Sequence, residues 1–216
     1  MKTKTVVLIN SVLSALVLVF GLQSRTAFPD PMAVHWGANG QANGYGSVFT
    51  GVWLIPIMVV GMTFLLAGIP YIDPLRENIK KFSGEYNLFI LIFAFYMLYV
   101  QMLSLAYNLG WITNLNPYFI PAIGIFMIFV GQLISKAHRN YFIGIRTPWT
   151  LQDERVWDET HKRAGLVFKI SGAISLFGIF LPNYAIWILM VPIMFSAFYS
   201  IVLSYVLYRK YNPKTI

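Results

Sequence analysis

NLFILIFAFYMLYVQMLSLAY, residues 87–107, runs for 21 residues without a single charged side chain. A hydrocarbon layer of about 30 Å is crossed by roughly 20 helical residues, so this stretch reads as a membrane-spanning helix. Working outward, comparable stretches occupy about 5–22, 51–70, 118–135, 165–181 and 184–208. The chain is 57% hydrophobic and only 11% charged, whereas soluble domains carry about 25% charged residues. The expectation is an all-α, polytopic membrane helix bundle of about six transmembrane helices. Lys2 and Lys4 ahead of the first stretch imitate a secretory leader, but the GLQSRTA that follows offers no small-x-small cleavage site. The first helix is therefore expected to be retained. Cysteine is absent, which removes disulfides, thiolate chemistry and cysteine metal sites.

The chain has 16 Lys and Arg residues and a net charge of +8. With the N-terminus inside, Arg25 alone among them falls in an external segment, the asymmetry expected of cytoplasmic loops. An N-in/C-in topology follows. The positive charge then reports orientation, and no direct nucleic-acid binding is expected. Residues 1–110 form an N-terminal membrane half and 111–216 a second half. The external loop 23–50 is rich in Pro, Gly and Asn, a composition for successive turns or a short hairpin. The other external connections, LGWITNLNP and Pro182-Asn183, are short. Inside, 71–86 is a short connection and 136–164 is the longest and most charged segment. There Pro148 breaks structure, and Thr150 with Asp153 three residues later predicts a cytoplasmic helix from about 151 that runs towards the fifth span.

Polar residues within the spans are uncharged at mid-membrane, which leaves proton relay or water activation without its usual ionisable groups. Ser196, Ser200 and Ser204 recur every fourth residue, the spacing of a close-packed helix seam. Pro56 and Pro192 are expected to kink the second and sixth spans. Lys169 lies near the end of the fifth span, where it can snorkel. His35 falls outside while His138 and His161 fall inside, so no metal site and no cofactor are expected. Glu154, Asp158 and His161 share one face of the predicted cytoplasmic helix; this permits acid–base work and equally describes a solvated, ion-paired face. Trp149 and Trp157 suit anchors at the membrane interface.

Two motifs are more specific. FPDPMAVHWGANGQANGYGS, residues 28–47, resembles the proline, histidine, then glycine-rich signature of the domain that often opens bacterial SdpI-type immunity proteins, and GIPYIDPLRENIKKFSGEY continues that similarity. HRNYFIGIRTPWTLQDERVWDETHKRAG, residues 138–165, resembles the hallmark of the SdpI family itself. The sequence departs from the first pattern at Trp36-Gly37. The resemblance implies a polytopic protein of a prokaryotic cell membrane that confers resistance to a secreted peptide toxin or signals its presence. The partners so implied are the lipid bilayer, an extracellular peptide toxin and a cytoplasmic regulator. By position it points to Pro31, His35, Gly40 and Tyr45, with neighbouring Trp36, on the external loop. In the second half it points to Asn140, Gly144, Arg146, Thr147, Pro148, Trp149, Trp157, Thr160 and His161, beside Asp153, Glu154 and Asp158.

Three function classes stand at this point, one of them a purely structural subunit that predicts neither cavity and depends on a partner membrane protein. A non-enzymatic immunity or sensing protein predicts an external site around His35 and Trp36, with the inner cluster consumed by mutual salt bridges. A membrane enzyme or small-solute permease predicts a cavity opening inward onto Arg146, Asp153, Glu154, Asp158 and His161. Gly144 and Pro148 fit a shaped turn that Arg146 can hold through carbonyls or one of the nearby carboxylates.

Overall fold

The computed structural model describes residues 1–213. In chain order it contains α1 (Thr3–Gln23), a hairpin of β1 (Met32–Trp36) and β2 (Ala42–Gly46), α2 (Val48–Ile72), α3 (Arg76–Lys80), α4 (Ser83–Asn108), α5 (Asn116–Lys136), α6 (Pro148–Gln152), α7 (Glu154–Leu176) and α8 (Ala185–Tyr211). The loop over 23–50 thus takes its hairpin form, with antiparallel strands that slip register beside His35.

Two three-helix groups make the bundle. Helices α1, α2 and α4 pack on one another, as do α5, α7 and α8, and α4 meets α5 between the groups. That junction is aromatic: Tyr96 stacks on Phe126 at 4.8 Å, flanked by Phe89 and Phe93. In the first group Asn10 is fully buried and its amide donates to Thr63 Oγ1 at 3.1 Å and to the Ile90 carbonyl at 3.3 Å, tying three helices through one side chain. A polar pair away from water has few other partners to find, which makes the match selective.

The second group is closed by glycine. A Cβ on Gly131 would lie 2.6 Å from the Gly165 carbonyl oxygen, and one on Gly165 would lie 2.6 Å from that of Gly131. Gly124 and Gly172 repeat the arrangement two turns along. Backbone therefore touches backbone along α5 and α7, as small residues permit between membrane helices. The serine seam lies on the other side of α7: Ser196, Ser200 and Ser204 are buried, and the Ser171 and Ser196 hydroxyls stand 2.7 Å apart. Pro56 and Pro192 sit inside α2 and α8.

Five helices, α1, α2, α4, α5 and α8, are long and apolar enough to cross a membrane. Helix α7 is not, because its last 18 residues still include Glu159, Lys162, Arg163 and Lys169. It nonetheless runs the length of the bundle, from the 137–147 segment at one end to Gly178, which touches Ile120 and Ala185 at the other. The predicted start of this helix is also corrected. Thr150 lies inside α6, whose cap is Thr147, and Asp153 caps α7 by accepting from the Arg155 N–H at 2.8 Å. A second short helix intervenes because the Thr147 hydroxyl reaches the Thr150 N–H first.

Gly131→Val or Gly165→Val is expected to lower stability by about 1–3 kcal/mol or more, since neither backbone can retreat. Gly61→Ala, with nothing within 4 Å, should be neutral or slightly stabilising. Thermal unfolding of the detergent-solubilised protein separates the two classes.

Candidate functional site

At one end of the bundle the hairpin is docked by amide side chains. Asn108, the last residue of α4, donates to the Ala33 carbonyl at 2.9 Å and accepts from the Ala33 N–H at 2.8 Å, so its side chain substitutes for a neighbouring strand. Asn114 and Asn116 donate to the carbonyls of Asn39 and Ala38, and the Leu115 N–H donates to that of Gly40. Gly40 has φ +74°, and a Cβ there would lie 2.1 Å from the Asn114 oxygen. Only glycine supplies both that backbone and that clearance. Met32, fully buried, plugs the hairpin against Gly51 of α2.

Beneath this docked hairpin lies a cavity of about 630 Å³, within the range of small-ligand sites. His35, Trp36 and Gly37 roof it, Leu54 and Ile55 of α2 and Val100 of α4 line one wall, and Phe119 of α5 with Ile186 and Met190 of α8 line the other. Both halves thus contribute, and its lining holds no carboxylate, lysine or arginine. Polar character is confined to Thr50, Gln101, Ser104, Asn116 and the roof. The His35 Nδ1 lies 2.6 Å from the Asn43 side-chain oxygen, which draws the ring proton to that nitrogen and leaves Nε2 as an acceptor. Trp36 packs edge-on against Tyr107 at 5.5 Å, and its buried indole N–H has no partner among the described residues. Of the residues expected on this loop, His35 and Trp36 line the cavity. Gly40 shapes the docking, Tyr45 is 62% exposed, and Pro31, after a cis Asp30–Pro31 bond, immediately precedes β1.

The opposite end is a knot built on residues 137–161. Asn140, fully buried, accepts from the N–H groups of Phe142 and Ile143 and donates to the carbonyls of His138 and Ile143. Gly144 has φ +108° and lies where a Cβ would strike the His161 ring. His161 Nε2 accepts from the Ile145 N–H at 2.9 Å, so its Nδ1 carries the proton and donates to the Trp157 carbonyl at 2.8 Å. Trp157 stacks on that imidazole at 3.9 Å and donates its indole N–H to the Ala137 carbonyl. Burial pushes the His161 pKa down to about 4. Thr150 donates to the Ile145 carbonyl, and Thr147 to Ser204 of α8.

Several expectations change here. Trp157 is 0% exposed and belongs to the core, because its N–H finds a carbonyl that an interfacial site would replace with water; Trp149 packs on Tyr205. Glu154, Asp158 and His161 do not form one solvated face, since His161 is buried by the loop that Gly144 brings across it. The inner cluster does not pair within itself either. Arg146 donates to the Tyr141 carbonyl at 2.8 Å, while Asp153 pairs with Arg155, which together with Asn212 holds its carboxyl well below the usual range. Of the five residues proposed to face an inward cavity, Asp158 and His161 line one, of about 460 Å³. The buried Thr160 hydroxyl has no partner among the described residues.

Two ties to the first half had no sequence signal of their own. Asp73 accepts from the Leu75 and Tyr141 N–H groups, and Asn78 donates to the Arg139 carbonyl. An Asp before Pro74 at the end of an apolar run signals a local turn; its second oxygen, turned to Tyr141, is legible only in three dimensions.

The knot lies largely within a segment with known relatives. Residues 136–205 match the SdpI/YfhL protein family, and residues 12–60 match a domain of unknown function, DUF1648. A relative described as Immunity protein SdpI, from Bacillus subtilis (strain 168), is 28% identical over 187 residues, covering 85% of this chain and 86% of its own length. No solved structure matches. The similarity to SdpI and the apolar helices together make this a multi-pass protein of the bacterial cell membrane. Residues 137–161 of the knot fall within the stretch that matches SdpI/YfhL, and the cavity lies where that stretch meets the one matching DUF1648, through Ile186 and Met190 on one side and Leu54 and Ile55 on the other.

Because His161 is neutral in the fold and titrates near 6.5 when unfolded, its contribution is full above about pH 6.5 and declines as pH falls towards about 4. The thermal midpoint should therefore drop between pH 7.5 and 5 by more in wild type than in His161→Gln. Equal drops would assign the loss to other groups.

Proposed function

We propose that this chain is a non-enzymatic membrane immunity protein, which recognises a secreted peptide toxin at the hairpin-end cavity and couples its occupancy to the knot at the other end. The single observation that carries the reading is the apolar cavity of about 630 Å³ roofed by His35 and Trp36 and walled by both halves. A ligand there meets apolar side chains and one imidazole acceptor, a set suited to an apolar peptide segment with a backbone amide. The relative named Immunity protein SdpI supports the biological role. The dispersal of Arg146, Asp153 and His161 onto structural partners supports a motif that shapes the knot rather than one that turns over a substrate.

In this reading the hairpin end faces outward and α7 crosses as the sixth span. Among the described residues, Arg25 is the one cation on the hairpin side of the helices, and the rest lie at or towards the knot, the arrangement of a cytoplasmic face. The halves are latched at both ends, by asparagines under the hairpin and by Asp73 and Asn78 at the knot. A ligand seated between them shifts the knot only insofar as it binds one arrangement of the halves better than another.

Expression in a toxin-sensitive host should raise survival under a panel of secreted peptide toxins. His35→Ala and the cavity-filling Leu54→Trp should each weaken protection roughly tenfold or more at matched membrane levels, the scale of losing one anchoring contact. Survival that ignores Leu54→Trp would remove the cavity from the mechanism.

Orientation has its own test, helped by the absence of native cysteine. A cysteine replacing exposed Tyr45 should react with an impermeant maleimide in intact cells, and one replacing exposed Lys80 only after lysis.

A further inference from the structure

A second cavity, of about 460 Å³, opens at the knot end between α5 and α7. Helix α5 contributes Gln132 and Lys136, one turn apart, and α7 contributes Asp158, Lys162 and Lys169, at a spacing that keeps them on one face. His138 completes the rim. Three ammonium groups thus face a single carboxylate. Neither Lys136 nor Lys162 forms an ion pair among the described residues. Lys169 is half-buried: its stem lies across Gly131, and its ammonium is held at 2.7 Å by the Gln132 side-chain oxygen. The glycine that admits the close approach of α5 and α7 therefore also admits this lysine, about 10 Å deeper along α7 than Lys162.

The cavity does not end in polar surroundings. Gln132 also lines a groove of about 360 Å³ between α4 and α5, with Leu88, Ile92 and Phe129 along it and Glu85 beside it. A cationic recess that shares Gln132 with an apolar groove on the outside of a membrane bundle matches a molecule with an anionic head and a hydrocarbon tail. We propose that this is a binding site for an anionic phospholipid, its phosphate seated among Lys136, Lys162 and Lys169 and one acyl chain along the groove from Gln132. The lysines supply charge attraction at headgroup depth, and the groove supplies apolar burial. Asp158 and Glu85 favour a phosphodiester of single charge carrying hydroxyl groups, as in a glycerol headgroup, which can donate to them.

The test is native mass spectrometry of the full-length protein released from nanodiscs of mixed phosphatidylglycerol and phosphatidylcholine. Wild type should retain phosphatidylglycerol selectively. The exposed pair Lys136→Gln/Lys162→Gln should lose that selectivity by roughly thirtyfold, the effect of two near-surface cations, while Lys80→Gln/Lys81→Gln on α3 should not. Ile92→Trp should reduce lipid retention by blocking the groove without altering the thermal midpoint shift produced by inorganic phosphate. Equal retention of both lipids by wild type, or undiminished selectivity in Lys136→Gln/Lys162→Gln, would overturn the site. Lysine-dependent stabilisation by inorganic phosphate without lipid retention would overturn the lipid as its occupant. None of these readouts depends on toxin protection.

Discussion

Wherever this chain stops being helical close to a membrane, its free peptide groups need partners that water does not reliably supply. Asparagine and its acidic counterpart meet that requirement at both ends of the bundle. Asn108 presents a donor and an acceptor to Ala33 as a strand would, and Asn140 satisfies four backbone groups of its own turn. Asp73 performs the same service between the halves. The cavity exists because the hairpin is held over the gap rather than collapsed into it, and the knot exists because residues 138–147 are pinned before α6 begins.

The two ends differ in what they leave open. Under the hairpin, donors and acceptors are spent on docking, and the surface facing the cavity is apolar apart from a few isolated groups. At the knot, Asn140, Arg146, Trp157 and His161 are spent on backbone contacts, and the charge left facing the cavity is that of Lys136, Lys162 and Lys169 with Asp158. Within GIRTPWT, Gly144 makes room for His161, and Thr147 opens α6 while reaching Ser204.

Five long apolar helices, the hairpin and the buried serine seam were legible because each rests on a repeating or compositional signal carried by neighbours in sequence. Of the roof residues, His35 was pointed to by resemblance, and Trp36 stood beside it where the sequence departs from that pattern. The cavity walls were not, since Leu54, Phe119 and Met190 look like any other apolar residues in their helices. Trp157 was misplaced for a related reason: an amphipathic ring suits an interface or a core with one good acceptor, and the acceptor, Ala137, comes from 20 residues away. The glycine contacts of α5 and α7 escaped because their pairs lie seven apart on each helix, a spacing that stands out only when the partner helix is in view.

Those four glycines set what can move. With carbonyl against Cα at two levels, α5 and α7 are keyed like two racks: rotation of either drives a Cα into the other's backbone, and sliding requires both levels to disengage together. Motion between the halves is therefore directed to the aromatic face of α4 and α5, where ring against ring can tilt without unlocking.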